Sequence, residues 1–418
     1  MESITSSTWS NSKKILFRFL FIYLILYTSP FPLSIFFGGN WIGTTYGQFW
    51  VGPVAWVGKH LLAIDYEITV LPNGSGDTTF NYVQVFTFFV VAICGTLFWS
   101  ILDRKRPHYE KLLFWLTVFI RYYLAITMLG YGFAKVIKTQ FPFPFPDKLL
   151  QPVGELSPMG LLWTFMGYSK AYTIFAGLGE VLGGFFLFFR RTTLLGALIL
   201  SIVMINVVIL NFSYDVPVKL FSCHLLFISL FLIAPYGPRI WRFLVLHEAV
   251  PLQPVFTEPR KRIVLLVIKI LLIGFVVLTE IISGIDLKQQ LNDMASESGN
   301  SDIYNVETFV MRGDTVPAIL NNNVRWKRVL VIRKGWAAIE YMDGVTMNLP
   351  FASDTTRHTI KIGKGYIYDF NYSPIDSTHV LWRGLMGLDS LKIIVEKKKL
   401  VFPLVNRNFH WINEYPFK

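Results

Sequence analysis

Seven apolar runs, each close to the roughly 20 residues a helix needs to cross a hydrocarbon layer, decide what this chain can fold into. They lie at about 15–37, 80–102, 112–136, 171–189, 193–213, 216–236 and 263–285. Hydrocarbon offers no water to satisfy a bare backbone, so such runs fold as helices and bundle together. Composition agrees: 53% of the 418 residues are hydrophobic and only 16% charged, against about 25% charged in an average soluble domain. From residue 286 onward the runs give way to period-two alternation (VRWKRVLVIR, WAAIEY, SLKIIVEK). The expectation is a polytopic α-helical membrane domain over 1–285 and an extracytoplasmic all-β domain over 286–418. About eight short strands with closely spaced turns point to an antiparallel β-sandwich or a small barrel. Lys334-Gly335, Asp343-Gly344 and Lys364-Gly365 supply hairpin turns.

A net charge of +12 raises the question of nucleic acid, and the placement of the charge answers it. Basic residues cluster at Lys13-Lys14-Arg18, Arg104-Lys105-Arg106, Arg190-Arg191, Arg239-Arg242 and Arg260-Lys261-Arg262. These clusters flank alternate ends of the spans, which is the positive-inside pattern. It predicts a multi-pass protein of a bacterial inner membrane, N-terminus cytoplasmic and β-domain periplasmic. The lipid bilayer is the implied partner; nucleic acid is not. Cys94 and Cys223 sit singly within spans and read as small buried residues without a disulfide. The first run, preceded by basic residues and lacking a small-residue cleavage site, reads as a signal anchor.

Pro30 and Pro32 predict an unwound end to the first span. FWVGPVAWVGKHLLAI, with Trp41, Trp50 and Trp56 around it, reads as an interfacial helix. FPFPFP at 141–146 suits an extended strap, and Ser157-Pro158 is a helix start. Strap and helix read as a connector or as a roof over the bundle. The terminal NRNFHWINEYPFK reads as a closing strap, with a docking role for Arg407, His410 and Trp411 as the alternative.

Ionisable groups are expensive at membrane depth and mark functional sites by default. Arg121, Ala125, Met128, Gly132 and Lys135 fall on one helical stripe. Gly177, Glu180 and Gly184 share a face of another helix, so Glu180 points into a close helix contact. Arg121 and Glu180 lie at similar depth and are expected to pair, as a helix staple or at a ligand. The stretch NVVILNFSYDVPVKLFSCH then brings Asn206, Asn211, Asp215, Lys219 and His224. Asp215 reads as the cap of the next helix, with Lys219 one turn on as its ion partner. Lys269 falls in the inner third of the last span and Glu280 near its outer end. Lys135, Asn206, Asn211, Asp215, Lys219, His224 and Glu280 predict a polar cavity in the outer half of the bundle, with Arg121 and Glu180 at its floor. Any catalytic role falls to Glu180, Lys219 and His224. No metal-ligand spacing, phosphate loop or GxSxG is present.

Residues 112–237 resemble the DoxX/DoxD-like membrane family. The resemblance rests on Arg121, the GYGFAK run with Lys135, and GEVLGG followed by Arg190-Arg191. It implies a four-helix membrane bundle. Family members include a subunit of a thiosulfate:quinone oxidoreductase, so it further implies a diffusible quinone and a partner membrane or periplasmic subunit. The family is distantly similar to vitamin-K-dependent carboxylases, which also join a membrane bundle to an extracytoplasmic β-domain. Three readings follow: a quinone- or lipid-binding protein of a membrane redox system, a non-enzymatic assembly or transport-accessory protein, and a carboxylase-like enzyme.

Overall fold

The structure, a computed structural model, describes residues 8–36, 40–70, 74–249, 262–296, 303–333, 335–365, 367–398, 402–407 and 410–416. Lys334, Arg260 and Lys261, Asn408 and Phe409, named above, lie outside the described residues. The chain divides into two compact units, one of residues 1–140 and 157–284 and one of 141–156 and 285–418.

The first unit is helical. Its elements are α1 (Asn11–Thr28), α2 (Leu33–Phe36), α3 (Asn40–His60), α4 (Thr79–Leu102) and α5 (Glu110–Val136). After α6 (Pro146–Leu150), which belongs to the second unit, come α7 (Pro158–Tyr168), α8 (Lys170–Leu187), α9 (Thr193–Ser213), α10 (Lys219–Ile233), α11 (Gly237–Leu244) and α12 (Arg262–Ser296), whose residues from 285 onward belong to the second unit. α1 ends at the residue before Ser29-Pro30, as the two prolines require. Ser157 caps α7 through its hydroxyl, which accepts from the Gly160 amide at 3.0 Å.

Among the described residues six segments are long and apolar enough to cross a membrane: 11–35, 79–102, 110–136, 190–213, 219–244 and 266–293. The count is six where seven were expected. The missing one is α8, whose 18 residues carry Lys170, Glu180 and four glycines. It packs against α5 on one side and α9 on the other and leaves Phe175, Leu178, Leu182 and Phe185 exposed, so its two charges and its glycines, not enclosure, are what lower its mean hydropathy. α9 in turn packs on α10, and α10 returns to α5. These four helices close a bundle around Leu116, Ile120, Leu124, Leu187, Leu200 and Ile228. α1 lies against α4 and α5, and α3 against α4.

α3 corrects one expectation. Trp41 and Trp56 are exposed, but Trp50 is buried with Val54 and Val57 against Phe80, Val83 and Phe88. It is a packing residue, not a headgroup anchor. Both cysteines are free; Cys94 is exposed on α4, not buried as expected, and Cys223 is partly buried.

The second unit is a closed barrel and not a sandwich. Its strands are β1 (Ile303–Met311), β2 (Asp314–Thr315), β3 (Trp326–Arg333), β4 (Trp336–Tyr341), β5 (Thr346–Asp354), β6 (Thr359–Ile362), β7 (Tyr368–Pro374), β8 (His379–Met386) and β9 (Asp389–Lys398). From β3 to β9 each strand pairs antiparallel with the next, β1 pairs with β3, and β1 also pairs with β9 along Ile303–Met311. A chain of successive hairpins has no crossover with which to build two sheets. Closing on itself removes both edges. The tight turns fall where glycine accepts a positive φ, at Gly335, Gly344 and Gly365. The interior is filled by Phe309, Trp326, Phe370 and Trp382 among aliphatic side chains, so the barrel is a packed core. The FPFPFP strap and α6 belong to this unit, where Leu150 packs against Ile303, Leu330 and Ala338. A short α13 (Pro403–Asn406) follows the barrel strands.

The β7–β8 turn holds a small charged cluster. Asp376 accepts from the backbone amides of Thr378 and His379, each at 2.7 Å, and from the His379 ring at 2.8 Å. Glu307 lies 3.4 Å from the other ring nitrogen. The hydrogen bond to Asp376, then the charges of Asp376 and Glu307, hold the imidazolium above its ordinary value of 6.5. A pKa raised on folding contributes stability that is complete below the unfolded value and is lost as pH rises through the folded one. The barrel should therefore lose this contribution as pH climbs from about 6.5 through the folded titration of His379. An NMR titration of the full chain should place the His379 midpoint above 6.5, and Asp376→Asn should bring it down. An unmoved midpoint in the variant would remove Asp376 as the cause.

Candidate functional site

The predicted stripe on α5 is buried residue by residue: Arg121, Ala125, Met128, Gly132 and Lys135 all face inward. So do Gly177, Glu180 and Gly184 on α8. The two faces meet with no room between backbones. A methyl group added at Gly177 would lie 2.8 Å from the Gly132 carbonyl oxygen, and one at Gly184 would lie 3.0 Å from that of Ala125. These contacts also set the antiparallel register, with Gly132 opposite Gly177 and Val181.

That register corrects the expected ion pair. Glu180 accepts from Lys135 Nζ with both carboxylate oxygens, at 2.9 and 2.8 Å, and both side chains are almost wholly buried. Side chains on a helix lean toward its N-terminus, so on antiparallel helices Lys135 and Glu180 lean toward each other. Arg121 lies eleven residues before Gly132, about 16 Å along the helix at 1.5 Å per residue. It meets the start of α9 instead, donating to Thr193 Oγ1 at 3.3 Å.

The other predicted residues do not join this pair in one cavity. Asp77 caps α10, accepting from the Lys219 and Leu220 amides at 2.8 and 3.0 Å. That is the role expected of Asp215, which is exposed and has a positive φ. Lys219 Nζ bridges the two acids, 2.7 Å from Asp215 and 3.9 Å from Asp77. Together with the Gly76 amide on the Pro217 carbonyl, these contacts staple the α3–α4 loop to the α9–α10 turn. Asn211 donates to Ser222 at 3.0 Å, tying α9 to α10. Asn206 is exposed on α9. His224 is fully engaged: a carbonyl can only accept, so Nδ1–H donates to Leu220 O at 2.7 Å. Its Nε2 then takes the Tyr23 hydroxyl at 2.6 Å, and Tyr27 stacks on the ring at 3.9 Å.

The open site of the helical unit lies beside this cluster. A groove of about 510 Å³ runs between the α1–α2 turn, α5 and α12, with Tyr27, Ser34, Tyr123, Thr127, Tyr131 and Glu280 among its lining residues. Tyr27 joins it to His224, and Tyr131 joins it to the Lys135 ammonium, 5.7 Å from its ring centre. The Glu280 carboxylate lies at Gly130, and among the described residues it makes no hydrogen bond or ion pair. Apolar walls with a few hydroxyls and one carboxyl suit an amphiphile whose head exchanges hydrogen bonds and whose body does not. Among the described residues no group of three His, Cys, Asp or Glu could hold a metal. Sequence reasoning named Glu280 but missed the three tyrosines. Their signal was phenols at similar depth in two apolar runs.

The fold and the groove define a helical protein built for a membrane and extended by a β-barrel. The chain belongs to the same family as the uncharacterized protein YwoB of Bacillus subtilis (strain 168), with which it is 35% identical over 113 residues, 27% of this chain and 71% of that protein. No family model matches the chain, and no solved structure matches it.

Proposed function

We propose that this chain is an integral protein of a bacterial inner membrane that binds a small quinone- or lipid-like amphiphile in the groove bounded by Tyr27, Tyr123, Tyr131 and Glu280. The observation that carries the reading is an uncompensated carboxyl, Glu280, beside phenols in an otherwise apolar groove. A carboxyl and hydroxyls supply the donors and acceptors that a quinone carbonyl or a lipid head requires. The bundle of α5, α8, α9 and α10 supports likeness to the DoxX/DoxD-like family, from which the quinone class is taken. Redox chemistry then belongs to the quinone and to a partner membrane or periplasmic subunit. The basic connectors support a cytoplasmic N-terminus and a periplasmic barrel, with α8 as a further crossing.

The test is native mass spectrometry with lipid extraction on the full chain in mild detergent, followed by titration with a short-chain benzoquinone. A stoichiometric amphiphile is expected. Glu280→Ala and Tyr131→Phe should each weaken quinone binding about tenfold, the scale of one hydrogen bond to a charged or buried polar group. Lys219→Ala should leave it unchanged, because Lys219 is occupied at the staple. Only bulk phospholipid, with no quinone binding, would overturn the reading.

A second reading, a non-enzymatic assembly or transport-accessory protein, is favoured by the pairing of Lys135, Lys219 and His224 with protein groups. A carboxylase-like reading needs a neutral lysine as base, and Lys135 and Lys219 are both ion-paired.

A further inference from the structure

Two acids of the helical unit are completed by the fold itself. Glu180 is bonded through both oxygens to the Lys135 ammonium, and Asp77 accepts from two backbone amides with Lys219 beside it. Glu280 is treated differently. It is half-buried, and among the described residues no cation or donor meets it. Its carboxylate lies against α5 at Gly130, where a methyl group in place of the glycine hydrogen would meet Oε1 at 3.4 Å and Oε2 at 3.7 Å. Lys135, five residues further along α5, is about 140° round the helix and is held by Glu180.

The groove that holds this carboxylate is also walled by four aromatic rings, Tyr27, Phe31, Tyr123 and Tyr131. Phe31 and Tyr123 meet with ring centres 5.5 Å apart, and Tyr27 is fixed by its stack on His224 at 3.9 Å. Tyr131 already lies 5.7 Å from one ammonium, that of Lys135. The face of an aromatic ring is negative, so the rings and the carboxylate present the same sign of charge. Among the described residues no lysine or arginine lines the groove.

Apolar walls and hydroxyls alone would suit a neutral amphiphile. A carboxylate half-buried among such walls is costly until a cation pairs with it, and aromatic-lined pockets are the chemistry that recognises ammonium groups. We propose that the groove takes an amphiphile whose head is a primary or quaternary ammonium, paired with Glu280 and with its tail in the apolar remainder of the groove. This rests on the reading of the groove as an amphiphile site and adds the charge of the head. The ammonium has two sources, the head of a zwitterionic phospholipid and a free cationic amphiphile.

The test is a titration of the full chain in dodecyl maltoside, read by the rise in melting temperature that a ligand of the folded state produces. The probes are decyltrimethylammonium, 1-decanol of the same chain length and a short-chain benzoquinone. The expected result is decyltrimethylammonium bound at least about tenfold more tightly than decanol, the scale of one bond to a charged group. Glu280→Gln, of the same shape and uncharged, should abolish that preference without lowering the melting temperature of the free protein, because no internal contact is lost. Ala134→Lys, one turn from Gly130 on the groove wall, supplies the cation from within and should abolish it as well. Displacement of the ammonium by dioleoylphosphatidylethanolamine assigns the site to a phospholipid head, and its retention assigns it to a free cationic amphiphile. Quinone binding without any preference for the ammonium over decanol overturns this inference and leaves the amphiphile reading standing. No response to any of the three probes overturns both. A preference that survives in Glu280→Gln puts the cation elsewhere and overturns this inference alone.

Discussion

Glu180→Ala should destabilise the helical unit by about 3–5 kcal/mol, the cost of leaving one partner of a buried ion pair uncompensated. The Lys135 ammonium would remain in a contact too tight for water, with only the Tyr131 ring at 5.7 Å to offset its charge. Removing both charges, as Lys135→Leu with Glu180→Leu, should restore most of the loss, because an apolar pair of similar volume carries no desolvation penalty. Arg121→Leu with Glu180→Leu should not, since Arg121 does not reach the carboxylate. Thermal melting in detergent reads all three. Rescue through Arg121 instead of Lys135 would show that the register of α5 on α8 is wrong. A Glu180→Ala protein melting like the parent would remove the pair as a structural element.

These variants separate what could be read along the chain from what could not. The inward stripe from Arg121 to Lys135 and the glycine face around Glu180 follow from 100° per residue, and both faces are buried where expected. The Asp215–Lys219 contact likewise needed only a one-turn spacing. Which cation meets Glu180 depends on the axial offset of two helices, a tertiary quantity that equal depth in a hydropathy profile does not determine. The cap on α10 comes from Asp77, and the partner of His224 is Tyr23. In neither case does local spacing name the group, because both arrive from distant elements. The groove assembles from the α1–α2 turn, α5 and α12, so no single run contains it. The barrel shows the same limit: the alternating runs that form β3 to β9 were legible, but β1 was not among them, and the choice between sandwich and barrel lay in the pairing of β1 with β9.

Gly177→Ala tests the close approach itself, and one methyl group should cost about 2–3 kcal/mol, the upper range for overpacking a tight contact. The added carbon would stand 2.7 Å from Lys135 Cβ, 2.8 Å from the Gly132 oxygen and 3.0 Å from the Val136 nitrogen. Two of these atoms are backbone and the third is the first side-chain atom, so none can rotate aside. The helices must separate, and the Lys135–Glu180 hydrogen bonds, already near 2.9 Å, lengthen with them. Gly179→Ala is the matched control two residues away. Its methyl would meet only Val203 Cγ2, at 3.1 Å, a side-chain atom free to shift. It should be neutral or gain a few tenths of a kcal/mol, because alanine is the better helix former. Melting temperatures of the two variants in the same detergent decide the matter. If both fall equally, helix propensity and lipid contact govern α8. If only Gly177→Ala falls, the glycine face exists to let α5 and α8 touch, and the buried ion pair depends on that contact.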